Sequence, residues 1–399
     1  MSKQWPMVKL GEVLSRTGKI IEADPAREYS EITVRLWGKG VVERGRVSGG
    51  QVNGKRFVAR AGNFIASRID ARNGAMGLVP EFLDGGLVTN DFPLFQPNKA
   101  RLDLSYLSWL SKTAGFVELC MRASEGTTNR VRLKEDRFLA LEIPLPPLSE
   151  QRRIVARIEE LSAQIQEALQ LRKQAVAEAE ALVASDANDC FTSDKMRRWP
   201  SVNLEDLADI RAGVTLGRNL TGRTVLLPYL RVANVQDGYI DLTEVKEVPV
   251  LESELNKWSL IDGDLLLTEG GDWDKLGRGA VWRGQIENCI HQNHIFRVRA
   301  DKKVVIPEFL SKLISSPVGK GYFQNASKQT TNLASINQRQ LRAFQVFQPP
   351  LPEQRRIVAE LDALQAEVDG LKRLQAETSA ELDALLPSIL DRAFRGELS

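Results

Sequence analysis

Few side chains in this 399-residue sequence are spaced for catalysis. The two histidines, His291 and His294, stand three apart in a run that reads as a strand. Alternation there sends neighbouring odd and even positions to opposite faces, so the pair does not share a metal ion. Gly49 to Gly54-Lys55 approaches a phosphate-binding loop. Arg56, however, stands where Ser or Thr would hold the metal, and a strand-like run follows where a helix should begin. Cys120, Cys190 and Cys289 are far apart and form no Cys-x-x-Cys pair, which suggests neither a disulfide framework nor a zinc site. No Asn-Pro-Pro-aromatic or Asp-Pro-Pro-Tyr motif for methylating an amino group occurs. The expectation is a chain with no catalytic residue, no metal ligand and no cofactor of its own.

What remains is chemistry suited to holding a polyanion and reading base edges. Lys, Arg, Ser and Thr hold phosphates, Arg reads guanine, and Asn or Gln reads adenine. In the first half the candidates are Arg35, Lys39, Arg68, Arg72, Asn73, Thr127, Thr128, Asn129 and Arg130. In the second half they are Arg231, Asn234, Trp273, Lys275, Arg278, Gln292, Thr330, Thr331 and Asn332. The Thr-Thr-Asn run occurs in both halves, so it suits backbone holding or turn building better than base reading. Trp5 and Trp199 open the two halves and read as core residues.

Composition supports that direction. A 43% apolar and 27% charged chain of this length is a soluble globular protein of two or more domains. No run approaches a membrane helix and no signal peptide opens the sequence, so the expected location is the cytoplasm, with no membrane contact. The net charge of +2 hides a pattern: residues 1–149 carry +6, 150–190 carry −3, 191–352 carry +3 and 353–399 carry −4. Two basic blocks, each followed by an acidic one, suit two DNA-facing modules joined by segments that face something else.

The elements that must position these residues are given by an internal repeat. Pro146-Pro-Leu-Ser-Glu-Gln-Arg-Arg-Ile-Val-Ala156 and Pro349-Pro-Leu-Pro-Glu-Gln-Arg-Arg-Ile-Val-Ala359 agree at ten of eleven positions, 203 residues apart. The same shift pairs the two Thr-Thr-Asn runs, Tyr106-Leu-Ser with Phe309-Leu-Ser, and Asn90 with Asn293. Each copy reads as a strand-rich globular part followed by a helix. Strands are expected at residues 56–60, 62–68 and 88–96, and at 265–268, 280–282 and 294–299; helices are expected at 104–121 and 307–323. The segments are 1–148, 149–190, 191–351 and 352–399.

After each Pro-Pro a long helix begins, with Ser149 as N-cap in the first and Pro352 in the first turn of the second. Apolar residues then step at heptad spacing: Ile154, Ile158, Leu161 and Ile165, and again Ile357, Leu361, Leu364, Val368 and Leu371. Such a seam needs a partner. Either the two helices pair antiparallel as a rod with a module at each end, which the spacing favours, or each packs on its own module. The fold class is therefore α+β: two similar mixed α/β modules separated by two long antiparallel coiled-coil helices, with a pseudo-two-fold internal repeat. Apolar residues along both seams are expected to be exposed and to dock partner helices. Two different modules on one spacer would read two different half-sites across an unread gap.

The paired Pro-Pro-Leu-x-Glu-Gln-Arg-Arg-Ile-Val-Ala motifs, each opening a long helix after a variable domain, resemble the two conserved regions of type I restriction–modification specificity subunits. Ile32-Thr-Val-Arg-Leu-Trp-Gly-Lys39, Tyr229 to Asp237, Gly270 to Lys275 and Ile389 to Gly396 fit the same resemblance. It implies a non-catalytic subunit whose two target-recognition domains read a bipartite, asymmetric site on double-stranded DNA. It also implies two methyltransferase subunits that methylate adenine and restriction/translocase subunits, with S-adenosylmethionine, ATP and Mg carried by those partners. The same features leave open service to a fused nuclease–methyltransferase, and a coiled-coil scaffold that binds protein only.

Overall fold

In the computed structural model, which describes all residues except 1–4, 127–130, 218, 272, 274–275, 330–333 and 399, each half contains a four-stranded antiparallel sheet. The run expected as one strand at 88–96 is two, Leu87–Val88 and Leu94–Pro97, parted by a polar turn and placed in different sheets, and the strand expected at 56–60 is Arg56–Val58, outside this sheet. In the first module the spatial order is Leu14–Thr17, Leu94–Pro97, Phe64–Ala66, Met76–Leu78. In the second it is Ala208–Ala212, Ile295–Ala300, Asp264–Thr268, Gly279–Val281, with the same chain sequence of strands. Phe64, Ile65 and Ala66 are all fully buried, so this strand is covered on both faces and its run is continuously apolar rather than alternating. One register position distinguishes the two sheets. In the first, Asn63 donates to Gln96 at 2.9 Å. In the second, the matching pair is ionic: Arg299 donates to both carboxylate oxygens of the wholly buried Asp264, at 2.7 and 2.8 Å.

A short strand pair closes each module just ahead of its Pro-Pro. Met7–Lys9 pairs with Glu142–Pro144, and Ser201–Asn203 pairs with Gln345–Phe347. The stretches expected as single helices are each two. Leu104–Leu110 is followed by Ala114–Arg122, and Pro307–Ser315 by Pro317–Ala326. The first helices close at Ser111 and Ser316, and Thr113 and Ser316 cap the next, their hydroxyls accepting from Phe116 N at 3.2 Å and Gly319 N at 3.4 Å. Pro317 also lacks the N–H that would continue a helix.

A second sheet sets the modules apart. In the first module it has five strands, Ile20–Ile21, Arg56–Val58, Leu87–Val88, Glu28–Val34 and Val41–Ser48; in the second it has three, Lys246–Leu251, Thr224–Leu230 and Ile290–His291. Each contains one hairpin and one parallel neighbour: Glu28–Val34 lies parallel to Leu87–Val88, and Thr224–Leu230 lies parallel to Ile290–His291. The hairpin connection is residues 35–40 in the first module and the longer stretch 231–245 in the second.

The central helix spans Leu148–Thr192 without a break. The distal helix is two, Leu351–Glu377 and Ser379–Phe394, parted at Thr378 (φ −92°, ψ 1°), with Pro387 inside the second piece. The chain divides into two compact units, residues 1–172 with 375–399, and residues 173–374. Within the first unit the helices run antiparallel. Arg172 donates to the Gln375 carbonyl, Gln375 returns a bond to the Arg172 carbonyl at 3.1 Å, and Arg153 reaches the Leu398 carbonyl at 3.3 Å. Within the second, Lys372 pairs with Glu180 at 2.5 Å and Lys195 with Glu353 at 2.8 Å, which is the same antiparallel sense.

Each module's core takes in helix residues from two places in the chain. In the first unit Ile154, Val155 and Ile158 join Leu390 and Ala393 around Tyr106, whose ring meets Phe394 edge-on at 5.1 Å. In the second, Ile357, Val358 and Leu361 join Ala187 and Phe191, and Phe191 meets Phe309 edge-on at 5.6 Å. The two alternatives for the seam therefore coexist: its opening turns pack on the module and the rest on the antiparallel neighbour.

Candidate nucleic-acid interface

The Glu, Gln and second Arg of the repeated Glu-Gln-Arg-Arg motif are placed to hold the helices. Gln151 is wholly buried; its side chain accepts from Asp103 N at 2.8 Å and donates to the carbonyls of Arg101 and Pro146, both at 2.8 Å. Gln354 repeats this with Ile306 N at 2.9 Å, Val304 O at 2.9 Å and Pro349 O at 2.8 Å. Both glutamines saturate backbone groups at the module–helix joint that would otherwise be buried and unpaired. The flanking residues clamp the first helical turn: Arg153 chelates Glu150 at 2.9 and 3.0 Å, and Arg356 chelates Glu353 at the same distances. With Arg356 and Lys195 against it, the Glu353 carboxyl is held at about 2.

The expectation that the seam is exposed for partner docking is corrected. Ile154, Ile158, Ile357, Leu361 and Val368 are buried, and Leu161, Ile165, Leu364 and Leu371 are half-buried. The antiparallel pairing inside each unit closes the seam, because an apolar stripe of that length gains more from a neighbour than from water. Among the described residues, the large apolar side chains that do face solvent on the long helices are Leu171, Leu182, Leu374 and Leu385.

Arg35 and Lys39 lie on the hairpin connection of the first module, and both are exposed with no ion-pair partner among the described residues. The hairpin closes with Arg35 N on the Gly40 carbonyl at 2.9 Å. Its tip rests on the single turn Ala71–Asn73, which carries the half-buried Arg72: Trp37 N donates to the Asn73 carbonyl at 2.8 Å and Gly38 N to the Gly74 carbonyl at 3.1 Å. Asn73 spends its amide on Asp70 at 3.3 Å. A cation lies beneath: the Lys112 side chain packs under Gly38, its ammonium 4.3 Å from the Trp109 ring centre. Arg35, Lys39 and Arg72 are therefore brought together. Arg68 is not among them, since it is half-buried and ion-paired with Glu135.

In the second module several candidates prove structural. Asn234 is buried; its oxygen accepts from Arg231 N at 2.8 Å and its amide donates to the carbonyls of Asp241 at 2.8 Å and Glu244 at 2.9 Å. It closes the turn of the hairpin connection and has no group left for an adenine, which corrects that assignment. Arg231 is tied to Glu244 at 3.2 Å. Arg278 reaches Gln236 at 3.3 Å and the Val232 carbonyl at 3.4 Å, and Gln292 accepts from Val232 N at 3.3 Å. These bonds shape the 231–245 connection. Trp273 is 43% exposed. Thr127, Thr128, Asn129, Arg130, Lys275, Thr330, Thr331 and Asn332 lie outside the described residues.

Sequence reasoning missed Trp37 as a surface residue. It is 71% exposed and holds φ +60°, just ahead of Gly38 at +66° and Gly40 at +87°. The available signal was the Trp-Gly-Lys-Gly run between two strands.

Among the described residues no three His, Cys, Asp or Glu side chains form a metal-ligand cluster, and no helix is long and apolar enough to cross a membrane. His291 is buried with Nδ1 3.1 Å from the Ile295 carbonyl, and burial lowers its pKa to about 4; His294 is exposed and paired with Glu269. Burial pushes the thiols of Cys120 and Cys289 up to about 12, so neither is a nucleophile at neutral pH.

The sequence family described as the type I restriction modification DNA specificity domain matches residues 2–176 and 196–378. Among known proteins, the type I restriction enzyme EcoKI specificity subunit of Escherichia coli (strain K12) is 29% identical over 282 residues, which is 67% of this chain and 60% of that protein. The StySPI specificity subunit of Salmonella potsdam is 26% identical over 309 residues, 74% of this chain and 65% of that protein. The chain thus spans less than two thirds of both curated relatives. Among solved structures, the HsdS subunit from Thermoanaerobacter tengcongensis aligns over 100% of this chain and 98% of its own, with a TM-score of 0.61 and 25% identity. A chain from a study of complex assembly and conformational transition in the type I R-M system aligns over 100% of both, with a TM-score of 0.69 and 26% identity.

Proposed function

The chain belongs to the type I restriction–modification DNA specificity family, and from that premise we propose that it is the non-catalytic, DNA-reading subunit of a modification and restriction complex. It reads a bipartite, asymmetric site on duplex DNA. Two methyltransferase subunits then methylate adenine there, and restriction/translocase subunits cleave DNA whose sites are unmodified. S-adenosylmethionine, ATP and Mg are carried by those partners, and the complex works in the cytoplasm.

One observation carries this reading: the same four-stranded frame, strand pair and glutamine latch are built twice, while the second sheet and its hairpin connection differ. Identical frames give both modules the same attachment; different connections give them different bases to read. A protein-binding scaffold has no need of that combination. The number of residues in the central helix sets the number of unread base pairs between the half-sites. Leu171, Leu182 and Leu374 offer partner helices an apolar foothold that the closed seam does not.

The test is duplex binding by the full chain purified with its methyltransferase partners. Binding that weakens steeply as salt rises, and that prefers one bipartite sequence, supports the reading. A complex that assembles yet binds no duplex overturns it. Co-purification of a single fused nuclease–methyltransferase chain would revise the partners alone.

A further inference from the structure

We infer that each module reads DNA with an aromatic tip, Trp37 in the first and Tyr239 in the second, pressed against the base pairs of its own half-site. This rests on the proposed function and names the residues that would confer it.

Trp37 is unfavourable twice over in the protein alone. A bulky residue at φ +60° is strained, and glycine would hold that geometry without strain. The indole is also 71% exposed, so no burial offsets the strain. The backbone around it is nonetheless fixed. Trp37 N and Gly38 N are bonded to the carbonyls of Asn73 and Gly74 at 2.8 and 3.1 Å. A side chain at Gly74 would crowd Gly38 N at 3.2 Å, and Gly74 itself holds φ +73°, so glycine there eases the tip's approach. A rigidly presented, solvent-facing indole gains its burial from a ligand. The exposed, unpaired Arg35 and Lys39 on the same tip, on a module carrying +6, identify that ligand as polyanionic. Cations hold the phosphates, and the aromatic face packs on thymine methyls or an unstacked step, where apolar contact discriminates bases.

The second module repeats the arrangement with different residues. Gly238, at φ +82° in the hairpin connection, donates its N–H to the Gly279 carbonyl at 2.9 Å, as Gly38 does to Gly74. Gly279 opens the last strand of the four-stranded sheet, where Gly74 lies two residues ahead of its own, and a side chain at Gly279 would meet the Leu266 carbonyl at 2.3 Å. Beside the docked glycine Tyr239 is 61% exposed. No sequence alignment of the repeat pairs Trp37 with Tyr239, because one precedes its glycine and the other follows it.

The test uses the full chain with its methyltransferase partners, on duplexes carrying the site mapped in cells and on duplexes altered in one half-site. Trp37→Ala and Trp37→Gly should each weaken binding tenfold or more. Both should reduce discrimination at the first half-site alone and leave the salt dependence unchanged. Trp37→Gly should melt no lower than the parent, because glycine relieves the φ strain. Tyr239→Ala should do the same at the second half-site alone. Arg35→Ala and Lys39→Ala, by contrast, should each reduce the slope of log K on log salt by roughly 0.9. Unchanged affinity and discrimination in a folded Trp37→Gly protein would overturn the inference while leaving the DNA-reading function standing. Absence of duplex binding by the parent complex would overturn both.

Discussion

Gln151 and Gln354 bind three backbone groups each in a buried joint, so their side chains cannot be removed without stranding donors and acceptors. Gln151→Ala should destabilise the first module by about 2–4 kcal/mol, and Gln354→Ala the second, as measured by urea unfolding followed by a probe in each module. The near-isosteric Gln151→Glu should be worse, because a carboxylate would face two carbonyl oxygens. His291 supplies a pH signature. Its folded pKa of about 4 lies below the 6.5 of a free imidazole. Between those values the unfolded chain binds a proton that the folded chain refuses. The stability present above pH 6.5 is therefore lost as pH falls towards 4, by roughly 3 kcal/mol. His291→Asn should flatten that part of the pH profile; an unchanged profile would show that other groups govern acid unfolding. At this scale the structure agrees with the sequence reading on exposure, as at Arg35 and Lys39. The sequence misled where a reader-like type folds inward: nothing local distinguishes Asn234, which closes a turn, from an asparagine aimed at adenine.

Among the elements, the long helices and the strands Phe64–Ala66, Asp264–Thr268, Gly279–Val281 and Ile295–Ala300 were legible because their apolar runs are strong and their boundaries carry Pro, Gly or Asn. The strands Leu14–Thr17, Met76–Leu78 and Ala208–Ala212 of the same sheets were not read from the sequence. The breaks at Ser111–Thr113, Ser316 and Thr378 were not, since each interrupts an apolar period that continues on either side. Nor did spacing show which surface closes the seam; burial of Ile154 and Ile357 in module cores depends on tertiary packing that a heptad pattern does not encode. The return of the distal helix has a direct consequence. Leu390, Ala393 and Phe394 complete the first module's core, although they lie over two hundred residues beyond it. A chain ending at Thr378 should therefore lose cooperative unfolding of the first module while the second, residues 173–374, keeps its melting transition. Equal destabilisation of both modules would contradict this division. Calorimetry that resolves the two transitions is the measurement.

For the whole molecule, the duplication was the most readable property, since the eleven-residue match and the constant shift need no structure to interpret. On the proposed function, its consequence is that recognition divides into two halves that vary independently on a constant frame. Mapping methylated adenines in cells tests this most directly, comparing the parent chain, its deletion, and a chain whose 231–245 connection is replaced by that of a relative. The account predicts a two-part motif with an unread gap that disappears on deletion, and whose second part alone changes on replacement. An adenine methylation pattern indifferent to the deletion, a continuous motif, or a replacement that alters both parts together would contradict it.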